Sequence, residues 1–160
     1  APMDQVPNST STIGYLIADL SRLYGRVFDR RAAHLGLTRV QWRALKRIHQ
    51  AEGITQTALA DLMDMEPIAV GRVIDRLQKA GFVERRSDPN DRRVWRLHLS
   101  SQSTQIMDAI EQVSAGVRED SVAGVEPDEL QIALKVLSQI RETLSQLDRA
   151  SRGESSLRKG

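Results

Sequence analysis

The sequence contains no cysteine, which excludes disulfide frameworks, thiolate metal sites and thiol-based redox sensing. Aromatic residues make up only 4% of it, and no apolar run approaches the roughly 20 residues needed to span a bilayer. The first residues also lack the basic-then-apolar layout of a secretory signal, so a cytoplasmic location away from membranes is the expectation. Histidine is sparse: His34, His49 and His98 are far apart and form no ligand-spaced pair. A nucleophile elbow, a phosphate loop and a dinucleotide fingerprint are all missing, so no metal, no cofactor and no enzymatic activity are expected. Lysine is scarce as well. Of 23 basic residues only Lys46, Lys79, Lys135 and Lys159 are lysines. An arginine excess favours forked contacts to phosphates and base edges, although GC-rich coding would produce it too.

What is present is a 160-residue chain, long enough for one domain with helical extensions. The net charge of +2 is small, but it is unevenly spread. Residues 1–53 carry eight basic and four acidic side chains, residues 66–99 eight and five, and residues 101–150 four and nine. Basic character therefore avoids the C-terminal part. Polar, proline-bearing residues 1–12 and Ser/Arg/Gly-rich residues 148–160 read as flexible tails.

Between them the hydrophobic periodicity predicts mostly helix. Leu16, Leu20, Leu23, Val27 and Phe28 recur at helical spacing over residues 13–35. Gly36 follows as a C-terminal stop, and Thr38 stands as N-cap of a second helix to about Ala51, with Trp42, Leu45 and Ile48 inward. Thr55 caps a short third helix, Gln56 to Met63, expected to bury Ala58, Leu59 and Leu62. Pro67 opens a fourth, with Val70, Val73, Ile74, Leu77 and Ala80 inward and Ile68, Gly71, Arg72, Asp75 and Lys79 outward. Strands are predicted at Phe82–Arg86 and Val94–Leu99, joined through Asp88-Pro89-Asn90. Helix returns beyond Ser100 with Ile106, Ile110, Val113 and Val117, breaks near Gly124, and restarts at Glu126-Pro127 with Leu130, Leu134, Leu137, Ile140, Leu144 and Leu147. The expected fold is mainly α with a small β-hairpin wing: a winged helix-turn-helix domain over residues 38–100, flanked by an N-terminal helix (13–35) and C-terminal helices (101–147).

A short helix, a tight turn and a second helix followed at once by a basic hairpin suit the reading of duplex DNA, because an α-helix fits the major groove. Arg72 on the outer face of the fourth helix has the reach and fork for a guanine or a phosphate. Small neighbours, Ala69 and Gly71, let the backbone approach, so Ile68, Ala69, Gly71 and Arg72 form the candidate groove-facing surface. An arginine on an amphipathic helix, taken alone, is more often a solvated residue, and the adjoining hairpin reverses that preference. In Arg85-Arg86-Ser87-Asp88-Pro89-Asn90-Asp91-Arg92-Arg93 four arginines flank a turn. Guanidinium groups on a projecting loop can enter a narrow minor groove, with Asp91 orienting one of them; a solvated tip is the bland alternative. Thr55, Gln56 and Thr57 at a helix start could offer backbone N–H groups to phosphate, although capping is the commoner role.

The run from Arg72 to Arg85, then Asp91-Arg92-Arg93 and Leu97-His98-Leu99-Ser100, resembles the MarR family of winged-helix transcription regulators. Leu35-Gly36-Leu37-Thr38 with Trp42 resembles its SlyA-like branch, and the likeness spans roughly residues 13–147. The resemblance implies a homodimer with interlocked terminal helices, acting, usually as a repressor, on a near-palindromic double-stranded operator. It places Arg72 in the major groove and Arg92 and Arg93 in the minor groove, with Asp91 as their ion-pair partner. It also implies a small aromatic carboxylate effector held near Trp42, Lys46 and Arg22. Against the family pattern, Ser100 replaces the usual threonine, Ser103 an expected glycine, and Gly71 a hydroxyl residue before Arg72.

The apolar edges of the first and last helices exceed what a small core can cover, which also calls for a partner surface; packing of the two helices on each other is the alternative. Trp42 at helical spacing with Leu45 is more often core than a ligand cradle, and Lys46 and Arg22 read also as solvated. The rival to a DNA reader is a winged-helix module that presents its wing to another protein.

Overall fold

The computed structural model describes residues 9–158. It divides into two compact units, one up to Arg118 and one from Glu119 onward.

In the first unit, α1 (Ser9–Ala32) leads through a 3-10 turn to α2 (Arg39–Gln50), α3 (Gln56–Leu62), α4 (Pro67–Lys79), the strands β1 (Val83–Ser87) and β2 (Trp95–Leu99), and then α5 (Thr104–Ser121), which crosses the boundary. Residues 9–12, expected in a tail, have joined α1, while residues 1–8 lie outside the described residues. A capping box starts α2: the Thr38 hydroxyl accepts from the Gln41 amide at 3.2 Å, and the Gln41 side chain accepts from the Thr38 amide at 2.9 Å.

The core gathers Phe28 and Ala32 of α1, Trp42, Ala44, Leu45 and Ile48 of α2, Leu59 and Ala60 of α3, Val70, Ile74 and Leu77 of α4, Val83 and Leu97 of the hairpin, and Ile110 and Val117 of α5. Residues 101–118 thus belong with the first unit, because α5 needs that core to bury Ile110 and Val117. The sequence grouping of residues 101–147 as one helical extension does not reproduce this division. Ile74 is fully buried at the centre. Its replacement by alanine is expected to cost about 2–5 kcal/mol through lost transfer energy and a cavity, measured by urea unfolding at fixed protein concentration.

Two apolar faces differ from the sequence reading. In α3 the buried residues are Leu59 and Ala60, followed by Met63, while Ala58 and Leu62 are exposed. Seven residues make only two turns, too few for periodicity to fix which side faces inward. On α4, Ala80 is exposed because it is the C-cap, past the last turn that touches the core. The turn between α3 and α4 passes through Asp64 in the left-handed region, φ 51°. Aspartate tolerates that conformation better than most residues, and Met65 then donates its amide to the Ala60 carbonyl at 3.0 Å.

The hairpin is antiparallel, with Val83 opposite Leu99, Arg85 opposite Leu97 and Ser87 opposite Trp95. Leu97 is buried and Trp95, on the same face of the strand, is exposed, so β2 reaches the core only at its C-terminal half. The hairpin is stitched to the loop before α3: Leu97 donates to the Ile54 carbonyl at 2.9 Å, Gly53 donates to the Leu97 carbonyl at 2.8 Å, and Thr55 bridges Arg96. Ser100 donates its hydroxyl to the Gly81 carbonyl and its amide to the Phe82 carbonyl at 2.9 Å. Serine here keeps the hydroxyl of the family's threonine, and the buried Ser103 hydroxyl bonds back to Ser100 at 2.7 Å.

The second unit holds the end of α5, a turn at Gly124 and α6 (Pro127–Leu157). Pro127 and the acidic Asp128 and Glu129 occupy the first turn of α6, as expected at a helix N-terminus. The helix runs ten residues past Leu147, over a stretch read as a tail. Local bonds one turn apart support the extension: the Ser151 hydroxyl bonds the Leu147 carbonyl at 3.0 Å, and Arg152 pairs with Asp148 at 3.3 Å.

Candidate nucleic-acid interface

The open face of α4 carries Ile68 and Arg72, both exposed. Arg72 follows from the periodicity: with Val70, Ile74 and Leu77 inward, position 72 points away from the core. Arg72 forms no ion pair or hydrogen bond among the described residues.

Gly71, expected on the groove-facing surface, lies elsewhere. A Cβ added there would meet the Gln56 side-chain amide at 3.1 Å, and the Gly71 carbonyl accepts from Arg85 at 3.0 Å. Gly71 is therefore the close-packing point between α3, α4 and β1. Ala69 is half-buried. Of the four candidates, Ile68 and Arg72 are the exposed ones.

The three candidates at the start of α3 also separate. The Thr55 hydroxyl accepts from the Ala58 amide at 3.1 Å, which is capping, and the Gln56 side chain accepts from Arg85 at 3.3 Å. Thr57 alone of the three is exposed.

At the wing the four arginines divide. Arg85 turns inward onto α3 and α4. Arg86 lies exposed along the strand, paired with Glu84 at 2.9 Å. Asp91 accepts from the amide of Arg93 at 3.0 Å and from its Nε at 3.1 Å, leaving a side chain 91% exposed. Arg92 is exposed and pairs with nothing among the described residues, so the Asp91 partnership expected for both arginines holds for Arg93 alone.

The tip is built on a second carboxylate. Asp88 accepts from the Asn90 amide at 2.8 Å and from Arg96, whose Nη1 reaches the Gly53 carbonyl at 2.9 Å. The Asn90 amide first, and then the Arg96 guanidinium, hold the Asp88 carboxyl below the usual carboxylate range. Its folded-state value thus lies below its unfolded value, so its contribution to the wing is fully present above about pH 4 and lost as pH falls through the depressed value. Resonances of Asn90 and Arg96 are expected to shift together as pH falls below about 4, and Asp88→Asn to remove that step. The sequence places Arg96 only within the second predicted strand and gives it no role; an arginine eight residues from an aspartate across a predicted turn is the available signal.

A cavity of about 480 Å³ opens beside α1 and α2, lined by Tyr24, Arg39, Trp42, Arg43, Lys46 and Arg47 among others. Trp42 is mostly core: it stacks on Phe28 at 4.0 Å and donates its Nε1 to Asp29 at 2.9 Å. The Lys46 ammonium bonds Ser114 at 3.1 Å and lies 4.9 Å from the Phe28 ring centre. Burial pushes its pKa down, partly opposed by Glu111. Arg22 does not line the cavity; it pairs with Asp19 at 3.1 Å on the exposed face of α1. Arg39, Arg43 and Arg47 were missed as lining residues, although their spacing of four along one helix put them on one face. Gly25 leaves room for Arg39, whose guanidinium fills the space a Cβ would need.

Among the described residues no cluster of three or more His, Asp or Glu is placed to hold a metal ion, and no helix is long and apolar enough to cross a membrane.

The family model described as MarR family matches residues 37–95, from two residues before α2 to the first residue of β2. The crystal structure of the transcriptional regulator PA3341 is 30% identical, with 83% of this chain and 98% of that chain covered and a TM-score of 0.75. The chain belongs to the MarR family. It is a winged-helix, DNA-binding transcription regulator. A mutant MarR from E. coli complexed with operator DNA is 25% identical, with a TM-score of 0.69 over 86% of this chain and 99% of that one. The transcriptional regulator SlyA shares the fold at 22% identity and a TM-score of 0.72, over 84% of this chain and 94% of that one. In MarR-family terms, α3 and α4 are the helix-turn-helix and β1–β2 the wing.

Proposed function

We propose that this MarR-family protein represses transcription as a homodimer on a near-palindromic duplex operator. Each α4 lies in a major groove with Arg72 toward the base edges, and each wing sends Arg92 and Arg93 into the neighbouring minor groove, with Arg86 and Thr57 near phosphates. The observation that carries this reading is the exposed, uncommitted Arg72 beside a hairpin whose tip leaves Arg92 and Arg93 exposed. A relative solved with operator DNA supports it. Exposed apolar side chains support the dimer: Leu16, Leu20 and Leu23 on α1, and Leu134, Leu137, Leu144 and Leu147 on α6. Twofold symmetry would set the recognition helices about 34 Å apart, one duplex turn.

Release by a small aromatic carboxylate is the effector half of the proposal. Tyr24 and the edge of Trp42 offer ring contacts, and Arg43 and Arg47 offer forks for the carboxylate. The ligand would act by favouring a dimer whose wings no longer match the groove spacing. Salicylate, raised to several millimolar as an order-of-magnitude ceiling, is expected to lower affinity for DNA, and Arg43→Ala to blunt that response. Unchanged affinity across the titration would remove the effector from the account.

The reading as a whole is tested by selecting bound sites from random duplex DNA and following the affinity with salt. The expected result is a palindrome with half-sites one turn apart, and a log–log salt slope of about −0.9 per phosphate neutralised. Failure to bind any duplex at low ionic strength would overturn it.

A further inference from the structure

Arg85 is the most heavily engaged side chain in the hairpin. Its Nε donates to Gln56 at 3.3 Å, Nη1 donates to Asp75 and to Gln78 at 3.1 Å, and Nη2 donates to the Gly71 carbonyl at 3.0 Å. Only 17% of the side chain is exposed. A guanidinium has five N–H groups in a rigid plane, so these four bonds leave one for anything else. One planar group thus joins the start of α3, the middle and end of α4, and the first strand of the wing. The absence of a side chain at Gly71 lets the Gln56 amide lie close, since an added Cβ would come within 3.1 Å of it. A second guanidinium, that of Arg96 on the facing strand, ties the tip carboxylate of Asp88 to the Gly53 carbonyl.

We infer that Arg85 is a positioning residue, which fixes the direction of the wing relative to the recognition helix so that the wing tip and Arg72 engage one duplex together. The proposal rests on the wing-contact reading above. Its physical content is pre-organisation. Two contact groups on separate elements bind cooperatively only while their spacing is held before DNA arrives; otherwise binding itself must order the wing, at the expense of affinity. A lysine at position 85 keeps the charge but offers three donors from a single point instead of a planar fork, and cannot satisfy Gln56, Gly71 and Asp75 at once.

The test is a mutant cycle on the full-length protein and a selected duplex: wild type, Arg85→Lys, Arg92→Ala with Arg93→Ala, and all three substitutions together. Arg85→Lys is expected to weaken binding about tenfold in the wild-type wing, on the scale of coupling within one hydrogen-bonded network. With the tip arginines removed, the same change should have less than about a twofold effect, the loss being routed through the tip. Equal fold-changes in both backgrounds would overturn the proposal, since Arg85 would then act on the fold or on α4 alone; so would no effect in either. If removing Arg92 and Arg93 itself leaves binding intact, the wing-contact reading fails first and the inference falls with it, an outcome distinguishable from the others. Should Arg85→Lys fail to fold, Asp75→Asn, at a mostly exposed carboxylate, takes its place in the same cycle with the same expectations.

Discussion

Replacing Arg92 and Arg93 together by alanine is expected to reduce affinity for the selected duplex about a thousandfold and to leave the proposed dimer and the melting temperature nearly unchanged. Arg93 is held at its root by Asp91 and exposes 91% of its side chain, and Arg92 is exposed and pairs with nothing among the described residues. Neither supports the core, so the fold does not depend on them. An arginine contact to DNA contributes roughly 1–3 kcal/mol. A dimer has two wings and so loses four arginines, and at about 1 kcal/mol each, the low end of that range, they make about 4 kcal/mol, close to three decades in the equilibrium constant. The salt slope should fall as well, because fewer counterions are released. Fluorescence anisotropy across a salt series, with light scattering for the dimer, measures both. Unaltered affinity would take the wing out of the mechanism.

Arginine substituted for Leu16 and Leu20 is expected to give a monomer whose first unit remains folded and whose affinity for the palindromic site drops by roughly 10²–10⁴. Both side chains are more than half exposed on α1, away from Phe28 and Ala32, which enter the core. A charge at either position therefore meets water in the monomer and meets apolar surface only in a dimer, where an unpaired cation is strongly disfavoured. The fall follows from losing the tethered second half-site, whose effective concentration supplies that range without any new contact. Sedimentation across a concentration series reports the assembly, and near-native melting of the variant reports the intact lobe. A variant that stays dimeric and binds normally would place the interface elsewhere.

Much of the fold and of the candidate site is legible in the sequence. Thr38, Thr55 and Pro67 mark helix starts by local chemistry, and Val70, Ile74 and Leu77 fix the inner side of α4, so the outward aim of Arg72 could be read from spacing alone. The arginine-rich tip was equally visible. What misled were features whose meaning depends on a neighbour distant in sequence. Gly71 looked like an opening toward DNA and is the contact point for Gln56. Arg22, which the resemblance puts near an effector, is paired with Asp19 on an exposed helix face. In α3 two turns were too few to show which side would be covered.

By itself the sequence determined the order of elements, the caps, the inner stripes of the longer helices and the presence of a basic hairpin, because each is set by residues within a few positions of one another. Only the tertiary structure decided which arginines are available. Arg85 and Arg96 are consumed by two carboxylates, two side-chain amides and two backbone carbonyls, while Arg72 and Arg92 make no such bonds among the described residues. A guanidinium reads the same in a string of letters whether it holds the protein together or faces outward, and the distinction exists only once the chain has brought its hydrogen-bond acceptors within reach.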